Sequence, residues 1–208
     1  DKCYLNNNKK KLDENAPLGG DDPYSASKAC VEIISYSFKK SFNLPIITAR
    51  AGNVIGGGDW SQNRLVPDLM KSTFENKTFI FRNPNQSRPW QQVIDLNINY
   101  LNLIYLTINK KIEQSSWNLG PSKSFKNNFI VKYVKKKFGL KVKTKKRNTY
   151  KEKQQINLNI YKAKKAGIKN NFSIFETLDT TFDWYENYYQ KKDMKKFSHY
   201  QIEKYLND

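Results

Sequence analysis

One stretch constrains the fold of this chain more than any other: Asp-Asp-Pro-Tyr-Ser-Ala-Ser-Lys-Ala, residues 21–29. Pro23 lacks an N–H, which costs nothing in the first turn of a helix. Asp22, one place earlier, supplies a carboxylate that can cap the free N–H groups. Beyond Pro23, small or apolar residues recur at intervals of three and four, at Ala26, Ala29, Cys30, Ile33, Ile34 and Ser37. That is helix period, and it predicts a helix running to about Phe42. Tyr24 and Lys28 then stand one turn apart on the same face. A cation held beside a phenol favours its ionised form. Such a tyrosine can take and return a proton near neutral pH. The plain alternative is a surface Tyr–Lys pair worth only ~0.2–0.5 kcal/mol, so the neighbouring segments decide.

After Pro45 comes an apolar run, Ile46-Ile47-Thr48-Ala49, which fits a buried strand of a parallel sheet. Arg50-Ala51-Gly52-Asn53-Val54 follows at the strand's C-terminal edge, where open α/β sheets bind ligands. Gly56-Gly57-Gly58 reads as a close-approach loop. It is not a dinucleotide fingerprint, because no Gly-x-Gly-x-x-Gly opens a helix there. A helix from Leu65 to about Glu75 and a short strand at Phe79-Ile80-Phe81 come next. Arg82 and Arg88 bracket a turn-rich loop, and their planar forks of donors suit phosphate oxygens. Asp95 to Asn109 reads as a mostly buried helix and Ser116 to Gly120 as a strand and turn. Phe125 to Phe138 is an amphipathic helix with lysines outward, and Lys141 to Lys145 an exposed edge strand. A short helix at 161–168 is closed by Gly167. Phe175 to Tyr189 reads as the last strong helix, with Phe182, Trp184, Tyr185 and Tyr188 as core residues. Residues 6–15 read as a surface loop, and there is no internal repeat.

The 208 residues suffice for a sizeable core. A net charge of +18 raises nucleic acid as a partner. The lysines, however, are scattered among asparagine-rich stretches and form no arginine-rich block, so solvated faces are the favoured reading. Part of the charge could draw in a phosphate-bearing substrate. Cys3, Cys30 and the lone His199 have no metal-ligand spacing, so no metal is expected. Both thiols read as buried and structural in a reducing compartment. With no secretory segment and no apolar run of membrane length, the chain reads as soluble and cytoplasmic. It starts inside a motif and without Met, so it is expected to be a fragment lacking its N-terminal part.

The motifs fall in a definite order: Asp1-Lys2-Cys3-Tyr4, Pro17-Leu18-Gly19-Gly20, Tyr24-x-x-x-Lys28, Arg50-Ala51-Gly52-Asn53-Val54-Ile55-Gly56-Gly57-Gly58-Asp59-Trp60 and Arg88-Pro89-Trp90-Gln91. This order resembles the extended short-chain dehydrogenase/reductase family, whose signature is Tyr-x-x-x-Lys. Within it the chain looks most like the nucleotide-sugar 4,6-dehydratases, nearest to the branch acting on CDP-glucose. The resemblance covers essentially the whole chain. It implies an α/β fold, the C-terminal portion of a Rossmann-like parallel sheet domain with a smaller α/β substrate-binding domain. Residues 1–56 would belong to the NAD-binding domain and 57–208 mainly to the substrate-binding domain, with 115–120 returning to the sheet.

The resemblance also implies NAD as cofactor, a nucleotide-sugar substrate and a homodimer or higher homo-oligomer, with no nucleic-acid or membrane partner. It implies Tyr24, Lys28, Asp1 and Lys2 as catalytic residues. Tyr24, Lys28 and Val54 would lie against the cofactor, and Asn53, Arg64, Leu65 and Arg88 against the substrate. Tyr24 would take the C4 hydroxyl proton of the hexose. Of Asp1 and Lys2, one would remove the C5 proton and the other assist loss of the C6 hydroxyl. Asp1 as acid and Lys2 as base is favoured, with the reverse left open. Lys2 stands where relatives acting on dTDP-glucose have Glu, and this points to the CDP-glucose branch. Gln92 stands where close relatives often have His, and its role is open. A dehydratase on another nucleotide, an epimerase and a basic nucleic-acid-binding domain are the alternatives. The 208-residue piece alone is expected to bind NAD poorly and to be inactive.

Overall fold

A computed structural model describes residues 1–5, 11–112, 115–145 and 156–207; the loop expectation for residues 6–10 lies outside them. In chain order the elements are α1 (Pro23–Phe42), β1 (Thr48–Ala51), β2 (Asn53–Ile55), α2 (Leu65–Phe74), β3 (Phe79–Phe81), β4 (Ser87–Arg88), β5 (Trp90–Gln92), α3 (Val93–Ile108), β6 (Ser116–Leu119), β7 (Phe125–Lys126), α4 (Asn127–Phe138), β8 (Val142–Thr144), α5 (Tyr161–Lys165), α6 (Ile174–Tyr189) and α7 (Met194–Asn207). Three of the strand pairs are parallel: β1 with β6, β2 with β5 and β3 with β8. β4 and β7 run antiparallel. The protein is a mixed α/β structure, as the motif order implies.

α1 starts where Pro23 places it. The Asp22 carboxylate accepts from the Ser25 amide at 2.9 Å and from the Ser25 hydroxyl at 2.7 Å, which satisfies one of the free N–H groups of the first turn. Asn43, in the left-handed region at φ 51°, closes the helix. β1 begins two residues later than the apolar run suggests. The Ile46 amide is turned back onto the Leu44 carbonyl at 2.8 Å, so pairing starts only at Thr48 and takes in Arg50 and Ala51.

The largest core lies between α2, α4, α6 and β3, around Leu69, Met70, Phe81, Ile130, Leu178, Phe182 and Tyr185. A second joins α3 and β6 through Leu96, Leu103, Trp117 and Leu119. A third gathers Cys3, Tyr4, Leu12, Leu158 and Ile160.

Several expectations are corrected. α3 is not mostly buried: Leu96 and Leu103 are inside, whereas Leu101, Ile104, Tyr105 and Ile108 are exposed. Only one helical stripe faces β6, and the other apolar residues of α3 lie off it. Cys3 is buried but Cys30 is exposed, on the outer side of α1. Of the α6 aromatics, Phe182 and Tyr185 are core, Trp184 is half-buried and Tyr188 is exposed. The helix expected from Phe125 starts at Asn127, because Phe125 and Lys126 are engaged in pairing with β4. α6 is not the last strong helix, since α7 follows. The Asp193 carboxylate accepts from the amides of Lys195 and Lys196 at the start of α7, both at 3.1 Å. Tyr205 donates to the buried Asp95 at 2.7 Å and ties α7 to α3. Among the described residues, no helix is long and apolar enough to cross a membrane.

Candidate active site

The ends of β1 and β2, the face of α1 and the start of α2 surround a cleft of about 940 Å³. Asp1, Lys2, Tyr24, Lys28, Asn53, Val54, Arg64, Leu65 and Arg88 all line it. The chain crosses to β2 immediately after the C-terminal end of β1, which carries Asn53 and Val54 to the mouth of the paired strands. Gly52 makes this crossing possible: a Cβ there would stand 2.6 Å from the Pro89 carbonyl oxygen. α1 contributes Tyr24 and Lys28 from one face. Tyr24 is 59% exposed and lines the cleft. The Lys28 ammonium lies over the Tyr24 ring, 5.4 Å from its centroid. That contact holds the two side chains together on the helix.

Asp1 is half-buried, and among the described residues its Oδ2 has no hydrogen-bond partner. Its main-chain nitrogen donates to the Ala51 carbonyl at 2.8 Å, which fixes the Asp1–Lys2 turn beside β1. A buried network lies behind this turn. Arg50 donates to Tyr4 at 2.9 Å, to the Glu14 carbonyl at 2.9 Å, to Glu32 at 2.8 Å and to Ser116 at 2.9 Å. Tyr4 in turn donates to Asn118 at 2.6 Å. Burial pushes the Tyr4 phenol up to about 12, against the opposing pull of Arg50, so Tyr4 is a structural donor and not an acid–base group. Burial alone would raise the Glu32 carboxyl, but hydrogen bonds from Arg50 and Thr48 outweigh it and hold the group below the ordinary glutamate value.

The cleft wall also carries five further cations, Arg64, Lys71, Lys77, Arg82 and Arg88, with the carboxylates Asp59, Asp68 and Glu75 among them. Arg88 is buried on β4. Arg82 is exposed and donates to Asn63 at 3.2 Å. Arg64 lies 3.6 Å from Asp59 and is largely open to solvent. Motif reading gave no site role to Trp90 or Asn127, both buried and both on the cleft wall. The Gln92 side chain accepts from the Ile94 amide, so its observed task is to cap α3.

Parallel strands ending at a cleft, with a Tyr-x-x-x-Lys helix on one wall and arginines on another, define a short-chain dehydrogenase/reductase-type protein. The chain belongs to the NAD dependent epimerase/dehydratase family, whose model matches residues 3–120. It is 41% identical over 132 residues to the CDP-glucose 4,6-dehydratase of Salmonella typhimurium, covering 58% of this chain and 37% of that protein. It is 29% identical over 120 residues to the UDP-glucose 4-epimerase of Mycoplasma pneumoniae, covering 51% of this chain and 36% of the relative. The fold matches the dTDP-glucose 4,6-dehydratase of Bacillus anthracis, solved in complex with NAD, at a TM-score of 0.77 and 21% identity over 89% of this chain and 58% of that one. It also matches the UDP-glucuronic acid 4-epimerase of Bacillus cereus, solved with UDP-glucuronic acid and NAD, at a TM-score of 0.79 and 18% identity over 89% and 59%. The matched segments thus span well under half the length of these curated relatives.

Proposed function

We propose that these residues form the catalytic and substrate-binding part of an NAD-dependent CDP-glucose 4,6-dehydratase. One observation carries the reading: Asp1, Lys2, Tyr24 and Lys28 share a single cleft with Arg64 and Arg88. A hexose at the first group and a diphosphate at the second would span it. The 41% identity to a CDP-glucose 4,6-dehydratase supports the choice of nucleotide, as does Lys2 at the place where relatives acting on dTDP-glucose have Glu.

Tyr24, Lys28 and Val54 fit the nicotinamide–ribose end of NAD, because all three lie on the cleft wall. The glycine pair before α1, Gly19-Gly20, leads into a helix start occupied by the Asp22 carboxylate, so it offers no seat for a pyrophosphate. When bound, NAD supplies hydride acceptance and return. The protein's own residues do the rest. Tyr24, as phenolate, takes the C4 hydroxyl proton of the sugar. Lys28 stabilises that phenolate and holds the cofactor's ribose. The resulting ketone acidifies the C5 proton, which Lys2 removes while Asp1 protonates the departing C6 hydroxyl. Asn53 and Leu65 position the sugar and the nucleotide, and Arg64 and Arg88 neutralise the diphosphate. Residues 1–56, with 115–120, act as the cofactor side and 57–208 as the substrate side. Exposed Val31, Ile34, Phe38 and Phe42 on α1 support pairing with a second copy.

The test is a panel of CDP-glucose, dTDP-glucose, UDP-glucose and GDP-mannose offered with NAD to a protein joining these residues to a glycine-rich dinucleotide cradle. The 4-keto-6-deoxy product is expected from CDP-glucose in preference to the others. Epimerisation without loss of water would favour the epimerase reading and sink this one.

A further inference from the structure

α2 turns one of its faces to the cleft, and that face carries a carboxylate that neither the diphosphate nor the dehydration calls for. Arg64, Asp68, Lys71 and Glu75, spaced four, three and four, all line the cleft. That spacing is one side of a helix. Val66, Leu69 and Met70 are buried on the other side, in the largest core. The Asp68 side chain is therefore directed at the cleft, half-buried in its wall. The Asp68 amide donates to the Arg64 carbonyl at 3.1 Å, so the two residues stand one helical turn apart, about 5–6 Å between Cβ atoms.

Three other carboxylates of the cleft wall already have cations. Glu32 holds Arg50 at 2.8 Å, Asp59 lies 3.6 Å from Arg64, and Glu75 is paired with Lys77. Asp1 is assigned above to the chemistry. Asp68 forms no ion pair among the described residues. Burial pushes its carboxyl up, against the pull of the Asn63 main-chain N–H, Arg82 and Lys71. A partly desolvated carboxylate next to a diphosphate site disfavours an anionic ligand, unless that ligand brings a hydrogen-bond donor to it.

Cytosine brings such a donor. It has an amino group at C4, where uracil and thymine have a carbonyl oxygen. A carboxylate accepts from the amino group and repels the oxygen, so one side chain both attracts the right base and rejects the wrong ones. We infer that Asp68 is the residue that selects the base: its carboxylate accepts from the cytosine 4-amino group, while Arg64, one turn earlier on the same face, meets the diphosphate. This rests on the CDP-glucose reading above and names the group that sets its nucleotide preference.

The experiment is calorimetric titration of the chain with CDP and, separately, with UDP. The natural chain is expected to bind CDP at least tenfold more tightly, because a hydrogen bond to a charged group is gained with one base and a repulsion with the other. In Asp68→Asn the amide oxygen still accepts from the Asn63 N–H, while the amide NH₂ can donate to the uracil oxygen. The CDP-over-UDP ratio is expected to fall at least tenfold in that variant. Asp68→Ala, which removes the acceptor, is expected to bring the two Kd values together. If both nucleotides gain or lose affinity by the same factor in these variants, Asp68 acts on the ribose or the phosphates and the inference is overturned. An unchanged ratio overturns it as well. Equal binding of CDP and UDP by the natural chain overturns it without any variant, and the nucleotide-sugar cleft survives. If neither nucleotide binds the natural chain, both readings fall together.

Discussion

The Glu32 carboxylate and the Arg50 guanidinium meet at 2.8 Å inside the protein, with side chains only 9% and 5% exposed. Glu32 is one turn beyond Lys28 on α1, and Arg50 is on β1, so the pair fixes the helix bearing Tyr24 and Lys28 against the strand that leads to Asn53. Ser116 and Tyr4 share the same guanidinium, which joins β6 and the segment after Lys2 to the arrangement.

Breaking such a pair from one side strands a buried charge. Arg50→Leu is expected to cost about 3–5 kcal/mol in urea unfolding, while Glu32→Gln combined with Arg50→Met should cost less than Arg50→Leu alone. A double variant no more stable than Arg50→Leu would show that the charges are not coupled.

The same pair sets an acid response. The Glu32 carboxyl titrates below its ordinary value of 4.5 in the folded protein, because the hydrogen bonds from Arg50 and Thr48 outweigh the burial that would raise it. A depressed folded-state value means that the ionised group stabilises the fold. That contribution is complete above the ordinary value and disappears as pH falls through the depressed one. Unfolding midpoints are expected to drop over this acid range in the natural protein and to drop less in Glu32→Gln. Parallel curves for the two proteins would contradict the assignment.

Gly57 faces the indole of Trp184 so closely that a Cβ would lie 1.9 Å from the ring. Nearby, Tyr185 donates to the Asp59 carbonyl, and Trp60 stacks edge-on with Tyr185 at 5.2 Å. The glycine loop is therefore clamped by α6. Gly57→Ala must displace Trp184 and is expected to cost about 1–3 kcal/mol, read as a lowered thermal midpoint. Trp184→Leu in the same chain should recover part of that loss, since it vacates the space the methyl needs.

Ser173 and Glu176 form a capping box at the start of α6. Ser173→Ala is expected to lose about 1 kcal/mol, and Ser173→Asp to keep most of the stability, because either oxygen can accept from the Glu176 amide. Equal losses in both variants would remove the cap from the account.

Much of this was legible in the residues themselves. Asp22-Pro23 dictates the start of α1, and the spacing of Tyr24 and Lys28 dictates their shared face. What was not legible depends on contacts distant in sequence. The side of α3 that is buried follows from where β6 lies, and it carries the polar Asp95 and Asn99 beside Leu96 and Leu103, so the apolar pattern of α3 does not announce it. Trp90 stands in the Arg-Pro-Trp motif, but its place on the cleft wall shows only once β5 is paired with β2. Asn127 reads as part of the first turn of a helix from Phe125, because the pairing of Phe125 and Lys126 with β4 has no local signal. α7 did carry one, the Asp193 cap, but its lysines hide the apolar spacing.

The central claim is that the Tyr24 face and the Arg88 end belong to one nucleotide-sugar cleft, and calorimetric titration of the 208-residue chain with CDP-glucose tests it most directly. The account predicts saturable binding of one molecule per chain, weakened at least tenfold by Arg88→Ala, about 1.4 kcal/mol. It also predicts weaker binding of CDP than of CDP-glucose, because CDP leaves the Tyr24 end empty. Absence of binding, or binding that Arg88→Ala leaves unchanged, would contradict it.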